Sequence, residues 1–150
     1  MPLTILNRQR KVSVDTKSVR PRLNAAIEAA GVGDSNVTLV LVSDAAIRRL
    51  NRDWRDIDRP TDVLSFSARE GEDAAFASDE LGDVVISLER AKDQGPIHVP
   101  DSDATHGFND ELVFLFVHGL CHLLGHDHQD PSSRRRMTAA QKRILAKAQR

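Results

Sequence analysis

The sequence predicts a single α+β domain. Its 150 residues fall in the usual size range of one domain and are enough to bury one hydrophobic core. Short β-branched segments, of which Asn36–Val42 (NVTLVLV) is the clearest, are interspersed with helix patterns along the chain. The sequence shows neither an internal repeat nor a linker, so we predict one domain over residues 1–150.

The first half of the chain is predicted to contain both strands and helices. Its elements are edge strands at Leu3–Leu6 and Val12–Val14, a helix at Arg22–Ala30, a buried strand at Asn36–Val42 and a helix that ends near Trp54. Gly31 ends the first helix pattern, and Ser43 or Asp44 can cap the start of the second helix.

The second half of the chain is predicted to end in two long helices. After a polar turn at Asp56–Pro60, the elements are strands at Val63–Phe66 and Asp83–Ser87, loops at 69–80 and Gly95–His106, and helices at Leu88–Gln94, Asp110–Leu124 and Pro131–Ala148. Asn109 can cap the first long helix, and Pro131 suits the first position of the second. Apolar residues lie on all sides of the helix at Asp110–Leu124, which indicates a buried central helix.

Residues 118–128 (HGLCHLLGHDH) contain four of the chain's six histidines. His118 and His122 lie one helical turn apart, so their rings project from the same face of the central helix. Imidazoles in an apolar helix need polar partners or a metal ion, because an unpaired polar group is costly to bury. This pair is therefore a candidate metal site.

A third ligand has to follow a turn. A continued helix would carry His126 about 12 Å along the axis from His118, whereas a zinc–nitrogen bond is only ~2 Å long. Gly125 can adopt the left-handed conformation that ends a helix and reverses the chain. His128 then becomes the stronger candidate, and His126 is its rival or a residue at the rim. Asp127 can either accept a hydrogen bond from a ligand imidazole or cap the turn.

Three imidazoles make a catalytic type of zinc site, because structural sites usually fill four positions, mostly with cysteine, while catalytic sites leave one position open. The spacing matches the zinc helix of the metzincin peptidases, H-E-x-x-H-x-x-G-x-x-H, whose third histidine corresponds to His128. Gly119 stands where those peptidases carry the glutamate that acts as general base. The window therefore predicts a zinc hydrolase that is not a simple peptidase.

Charge is distributed unevenly along the chain, although the net charge is only −1. Residues 131–150 contain seven Lys/Arg and no Asp/Glu, whereas residues 62–111 contain thirteen acids against three bases. The basic ends can supply a phosphate-binding surface, although solvated helix faces give the same pattern. A membrane-spanning run and a signal-peptide layout are both missing, and the single Cys121 fits a reducing cytoplasm.

The histidine window and several further blocks resemble the YbeY family of metal-dependent endoribonucleases. The further blocks are Leu50–Arg55 (LNRDWR), Arg59–Phe66 (RPTDVLSF), Leu81–Ser87 (LGDVVIS), and Met137 and Gln141 on the last helix. The resemblance implies a zincin-like fold, in which a mixed sheet packs with helices around a central metal-binding helix. It also implies a hydrolase that cuts single-stranded RNA in small-subunit ribosomal RNA maturation and ribosome quality control.

The same resemblance implies that His118, His122 and His128 hold one Zn²⁺ ion and that Arg55 is essential. A guanidinium can hold phosphate oxygens with two parallel hydrogen bonds as charge builds on them during cleavage. The implied setting is the cytoplasm, with ribosomal RNA and the small subunit as partners, ribosomal proteins and assembly GTPases as further candidates, and no membrane. The nucleophile stays open between a water molecule and the RNA 2′-hydroxyl.

Composition alone does not single out Arg55, because it is one of five arginines within residues 48–59. Without the resemblance it would be assigned to a surface salt bridge. Asp62 and Asp83 begin predicted strands and are weaker candidates, either as structural caps or as residues that line a groove.

Two other functions stay open from the residues alone. A metallopeptidase would need a carboxylate from elsewhere, such as Asp127, to replace the glutamate missing at Gly119. A non-catalytic ribosome-assembly factor would use zinc structurally and bind RNA through its basic ends. Cys121 would favour this second alternative if its thiolate completed a four-ligand site, although a lone cysteine in an apolar helix is more often a core residue.

Overall fold

The computed structural model describes residues 3–68, 79–98, 104–127 and 129–148, without the side chains of residues 95–98 and 104–106. Its elements, in chain order, are β1 (Leu3–Asn7), α1 (Thr16–Ala29), β2 (Asn36–Val42), α2 (Asp44–Arg55), β3 (Val63–Ser67), β4 (Glu80–Ser87), α3 (Leu88–His98), α4 (Ala104–Leu123) and α5 (Pro131–Ala148). Strands and helices are interspersed, which confirms the predicted α+β class.

The strands form one mixed sheet in the order β1-β2-β4-β3. β1, β2 and β4 run parallel, and β3 is an antiparallel edge strand paired with β4. Successive residues of a strand point to opposite faces, so Val84 and Ile86 face one layer of helices and Val85 faces the other. As an edge strand, β3 keeps one row of backbone groups available for contacts outside the sheet.

Helices cover both faces of this sheet. The larger core includes the fully buried Leu39, Ile86 and Phe116 and is closed by α1, α3, α4 and α5. The smaller core consists of Val42, Ile47 and Val85 and lies under α2 on the opposite face. Among the described residues, no helix is long and apolar enough to cross a membrane.

Helix α4 is the central element of the fold. It contacts β3 and β4 on one side and α1, α3 and α5 around the rest of its circumference. Leu112, Val113, Leu115 and Val117 are at most 2% exposed, and at about 100° per residue they point to different sides of the helix. Each such side chain contributes ~1.5–3 kcal/mol when it is fully buried. The predicted buried central helix is therefore confirmed.

Helix α1 begins at Thr16 rather than at Arg22, and it contains Pro21 in its interior. Asp15 caps the helix, because its Oδ1 accepts a hydrogen bond from Ser18 N at 3.3 Å. Proline removes one backbone hydrogen bond from a helix interior, and the burial of four apolar residues along α1 offsets that loss. The prediction that the helix starts after the proline is therefore wrong.

Two strand predictions also need correction. Residues 12–14 do not form a strand, and Val12 and Val14 instead pack against the core from irregular backbone. β4 begins at Glu80 rather than at Asp83, because its first residues already pair with β2. Of the predicted loop at 69–80, residues 69–78 lie outside the described part of the chain.

The predicted loop at Gly95–His106 is partly helical. α3 continues to His98, and α4 begins at Ala104, so only residues 99–103 fall between them, outside the described residues. Asn109 lies within α4 instead of capping it. The helix starts before Asn109 because Phe108, which is 9% exposed, is part of the core.

The starts of α2 and α5 agree with the prediction. Ser43 Oγ accepts a hydrogen bond from Ala46 N at 3.2 Å, and Pro131 is the first residue of α5. Asp130 Oδ1 accepts a hydrogen bond from Ser133 N at 2.8 Å, and this contact helps to hold the pKa of Asp130 below its usual value. Both starts follow from local capping chemistry.

Arg22 of α1 connects the two long helices. Its guanidinium lies 2.8 Å from Asp110 Oδ1 on α4, and its Nε donates a hydrogen bond to Ala148 O at the end of α5, also at 2.8 Å. The side chains of Arg22 and Asp110 are only 13% and 10% exposed. This largely buried pair therefore helps to hold α4 and α5 against α1.

Replacing Arg22 by leucine is expected to lower the free energy of unfolding by about 3 kcal/mol, because it removes the cation that faces the largely buried Asp110 carboxylate. Urea denaturation followed by circular dichroism would measure this, with Lys17→Leu as an exposed control on the same helix. The control should change the free energy of unfolding by less than about 0.5 kcal/mol. Equal stability of the two variants would show that the ion pair does not hold these helices together.

Candidate active site

Helix α4 places His118 and His122 side by side at an open cleft. Their ring centroids are 4.9 Å apart and the ring planes are inclined at 76°. Both side chains are half-buried and line a cleft of about 640 Å³ beside the edge of the sheet. The two predicted metal ligands therefore share one space.

The chain turns sharply where α4 ends. Gly125 has a φ of 93°, its N–H donates to His122 O at 3.0 Å, and His126 N donates to Cys121 O at 3.1 Å. This pair of hydrogen bonds around a left-handed residue is the Schellman motif, which satisfies the last carbonyl groups of a helix. The predicted turn at Gly125 is confirmed.

The remaining predicted ligand, His128, lies outside the described residues. Its rival His126 and the neighbouring Asp127 line the same cleft as the two α4 histidines. Asp127 Oδ1 accepts a hydrogen bond from Gln129 N at 3.2 Å, which is the turn-capping role considered for it. Without His128, the described residues contain no group of three His, Cys, Asp or Glu side chains placed to hold a metal ion.

Gln141 of α5 orients one of the two imidazoles. Its Oε1 lies 2.5 Å from His118 Nδ1. Because an amide oxygen can only accept, Nδ1 carries the hydrogen and Nε2 keeps its lone pair. Metal-binding histidines are commonly held in this way through their second nitrogen, so the donor set fits a zinc ion. Sequence reasoning placed Gln141 on the last helix but gave it no role.

Gly119 allows α4 to pack closely on the sheet. A Cβ at this position would lie 2.7 Å from Val84 Cγ1, 3.0 Å from Ser65 Oγ and 3.2 Å from Val63 Cγ2. Carbon atoms normally pack about 3.5–4.0 Å apart, so no side chain fits here without displacing the helix. The glutamate of the metzincin motif therefore has no room, which gives a structural reason for its absence.

Arg55 reaches the cleft from the end of α2. Its guanidinium donates a hydrogen bond to Ser65 O at 2.5 Å, and its Cζ lies 5.4 Å from the centroid of the Phe66 ring. Both contacts come from the edge strand β3, so the guanidinium is fixed at the border of the sheet. Most of its N–H donors stay available for a ligand in the cleft.

Neighbouring arginines on α2 are engaged differently. Arg48 pairs with Asp58 at 2.9 Å, and Arg52 pairs with Asp53 at 3.1 Å. Arg55 forms no ion pair with any of the described residues. The described part of the chain therefore gives it no surface salt bridge. The structure singles out Arg55 where composition did not.

Asn51 fixes the end of α2, where Trp54 and Arg55 lie. Its side chain is 5% exposed, and its Nδ2 donates to Arg59 O at 2.9 Å. The backbone carbonyl oxygen of Asn51 accepts a hydrogen bond from Ile57 N at 3.2 Å. These contacts hold the turn after α2 against the helix, so the backbone from which Trp54 and Arg55 project is fixed in position.

The two weaker candidates for the site, Asp62 and Asp83, lie outside the cleft. Asp62 Oδ1 accepts a hydrogen bond from Val63 N at 2.8 Å and so caps the start of β3. Asp83 lies on β4, where partial burial of its carboxyl group and the nearby Glu80 raise its pKa above the usual value. Neither residue lines the cleft that holds the α4 histidines.

Cys121 is a core residue. It is fully buried among apolar side chains and does not line the cleft. Burial raises the pKa of the Cys121 thiol to about 11, which disfavours the thiolate that a zinc site requires. The structure gives no support to a four-ligand site completed by Cys121.

The basic helix α5 lies beside the histidine pair. A second groove of about 360 Å³ is lined by His118 together with Arg134, Thr138 and Gln141 of α5. The cationic run predicted from the sequence therefore starts next to the cleft. This placement suits a surface that follows a phosphate backbone.

Comparison with known proteins covers almost the whole chain. The family model described as Endoribonuclease YbeY matches residues 4–149. The chain belongs to the YbeY endoribonuclease family.

Relatives within the YbeY family match over most of their length. The Endoribonuclease YbeY of Pelotomaculum thermopropionicum is 41% identical, with 98% of this chain and 97% of the relative covered. That of Symbiobacterium thermophilum is 44% identical, with 85% and 83% covered. The solution structure of TM1509 from Thermotoga maritima has a TM-score of 0.63 and 26% identity, with 97% and 88% covered. These matches confirm the predicted zincin-like fold, a mixed sheet packed with helices.

Gly119→Ala is expected to lower the free energy of unfolding by about 1–2 kcal/mol. The added methyl group would lie 2.7 Å from Cγ1 of the rigid Val84, so the overpacking cost falls in the upper part of its usual range, about 2–3 kcal/mol, and exceeds the ~1 kcal/mol that alanine gains over glycine in a helix. Urea denaturation of wild type and variant would measure the difference. A variant at least as stable as wild type would show that α4 can move away from β4 without loss.

Proposed function

We propose that this chain is a zinc-dependent endoribonuclease that cuts single-stranded RNA during maturation and quality control of the small ribosomal subunit. The proposal depends on one observation, which is that two histidines and an arginine without an ion pair among the described residues line one cleft. The relatives are named as endoribonucleases, which supports RNA as the substrate.

His118, His122 and His128 are the proposed ligands of one zinc ion, and Gln141 holds His118 in the binding orientation. A zinc ion bound there supplies a Lewis acid, which polarises a phosphoryl oxygen and lowers the pKa of water. The half-buried position of the two α4 imidazoles limits the number of water molecules around them. Interactions with a phosphate are stronger in such a partly dry site than on the open surface.

Arg55 is the proposed phosphate-binding residue. As a phosphodiester is cleaved, negative charge builds on its oxygen atoms, and guanidinium donors stabilise that charge. The contacts with Ser65 O and the Phe66 ring hold the guanidinium in place before RNA arrives. Arg134 and the other cations of α5 would add attraction along the strand.

The alternatives are less well supported. A peptidase would need a general base, but Gly119 leaves no room for one and Asp127 already caps the turn. An assembly factor with structural zinc would need a filled fourth position, and Cys121 lies in the core. We place the activity in the cytoplasm, with the small ribosomal subunit, ribosomal proteins and assembly GTPases as candidate partners.

The proposed function is tested by cleavage of a small-subunit ribosomal RNA fragment. Wild type is compared with His122→Ala, Arg55→Ala and the control Arg49→Ala, an exposed arginine on the same helix as Arg55. We expect wild type and Arg49→Ala to cut and His122→Ala to be inactive with little bound zinc. Arg55→Ala should keep its zinc and cut about 100-fold more slowly or worse, because it loses charge stabilisation in the transition state.

Circular dichroism would first establish that each variant is folded. Equal cleavage by all four proteins would mean that the activity comes from a contaminating nuclease. RNA binding without cleavage, even by wild type supplied with zinc, would favour the assembly-factor alternative instead.

Gln141→Leu is expected to weaken zinc binding about 10- to 100-fold, because the imidazole of His118 loses the acceptor that orients it. Competition with a chelator would measure the zinc affinity. Gln141→Glu should keep it, since a carboxylate accepts the same hydrogen bond, and Lys142→Leu is an exposed control on α5. Unchanged affinity in Gln141→Leu would contradict the orienting role.

A further inference from the structure

Trp54 is the only tryptophan of the chain and is 69% exposed, although a large aromatic side chain is normally well buried. It lies at the end of α2 next to Arg55 and lines the same cleft as His118 and His122. The mechanism described above gives it no role. Ile57, the other large exposed apolar residue of the described chain, is 41% exposed and does not line the cleft.

The Trp54 ring is held in place by Phe66. The two ring centroids are 6.3 Å apart, and the planes are inclined at 72°, an edge-to-face arrangement. The guanidinium of Arg55 lies over the same Phe66 ring, at 5.4 Å from its centroid. Because one ring contacts both groups, the indole and the guanidinium have fixed positions relative to each other. Most of the indole surface is nevertheless open to solvent.

We infer that Trp54 forms a base-stacking subsite, in which the indole binds an unpaired nucleobase of the RNA strand whose phosphate is held by Arg55. Every nucleobase has a flat π face, and aromatic side chains in single-strand-binding proteins stack on it without regard to sequence. Arg55 and Trp54 are adjacent and contact one ring, so they can engage the phosphate and a base of the same dinucleotide.

The subsite would also select the form of the RNA. A base within a duplex is paired and stacked on its neighbours, so it cannot offer its face to the indole without being unstacked. A base in a loop or single strand offers that face freely. This inference rests on the proposed function, because it specifies how the proposed nuclease recognises its substrate.

The chain offers a direct signal for this contact. Since the chain contains one tryptophan and no tyrosine, the intrinsic fluorescence that is excited at about 295 nm comes from Trp54 alone. Zinc-loaded wild type would be titrated with a 2′-O-methyl RNA hexamer, checked by electrophoresis to stay intact. An abasic hexamer, with the same sugar–phosphate backbone but no bases, is the control. We expect saturable quenching by the first and no quenching by the second.

Variants test the same contact without fluorescence. Anisotropy of a labelled hexamer should show binding about 5- to 150-fold weaker for Trp54→Leu, the range expected for loss of one stacked base. Trp54→Phe should keep most of the affinity, because phenylalanine also stacks, and Ile57→Ala should bind like wild type. In cleavage of single-stranded RNA, Trp54→Leu should raise KM and leave kcat nearly unchanged, since stacking stabilises the bound strand before and during cleavage alike.

Two results would overturn the inference. One is wild-type fluorescence that does not respond to the base-containing hexamer, and the other is a Trp54→Leu variant that binds and cuts like wild type. Either would assign the exposed indole to a different partner, such as a protein. The proposed function fails by a different result, the absence of zinc-dependent RNA cleavage by wild type. That result is independent of whether the hexamer quenches the fluorescence of Trp54.

Discussion

The close contact between α4 and the sheet at Gly119 is the constraint on which the rest of the site depends. The helix backbone approaches Val84 so closely that a single methyl group at position 119 would collide with it. Ser65 of the edge strand contacts both α4 and Arg55. Its Oγ donates to Gly119 O at 2.9 Å, and its carbonyl accepts from Arg55. One residue therefore connects the arginine to the helix that carries the histidines, and any shift of that helix would change the distance between them.

This constraint also explains which chemistry the site can support. With no side chain possible at Gly119, α4 offers imidazoles to the cleft but no carboxylate beside them. Arg55 of α2 lines the same cleft, and His126 and Asp127 line it from the turn after α4, where Asp127 accepts a hydrogen bond from Gln129 N. Gln141 of α5 contacts His118 from the neighbouring groove, which also contains Arg134. Cations around a candidate metal site match a substrate that is itself negatively charged. An RNA phosphate meets that condition, whereas a peptide bond does not.

Sequence reasoning succeeded where local rules decide the structure. The spacing of His118 and His122 follows from the helical repeat, and the turn at Gly125 follows from its tolerance of positive φ. It failed at the start of α1, where burial of apolar residues outweighs the cost of Pro21. It also gave no role to Gln141, because the partner of a side chain on a distant helix has no local signature. Arg55 came from family resemblance, and only its contacts across α2 and β3 distinguish it physically from its neighbours.

The two halves of the cleft are supported by cores of different size. The histidines project from α4, which lies in the large core and packs against five other elements. Arg55 and Trp54 project from α2, which covers the small core of Val42, Ile47 and Val85. Regions with fewer buried apolar contacts open at lower free-energy cost than the main core. The end of α2 can therefore open at lower free-energy cost than α4, and the contacts of Trp54 and Arg55 with Phe66 of β3 are what keep those two side chains in one arrangement.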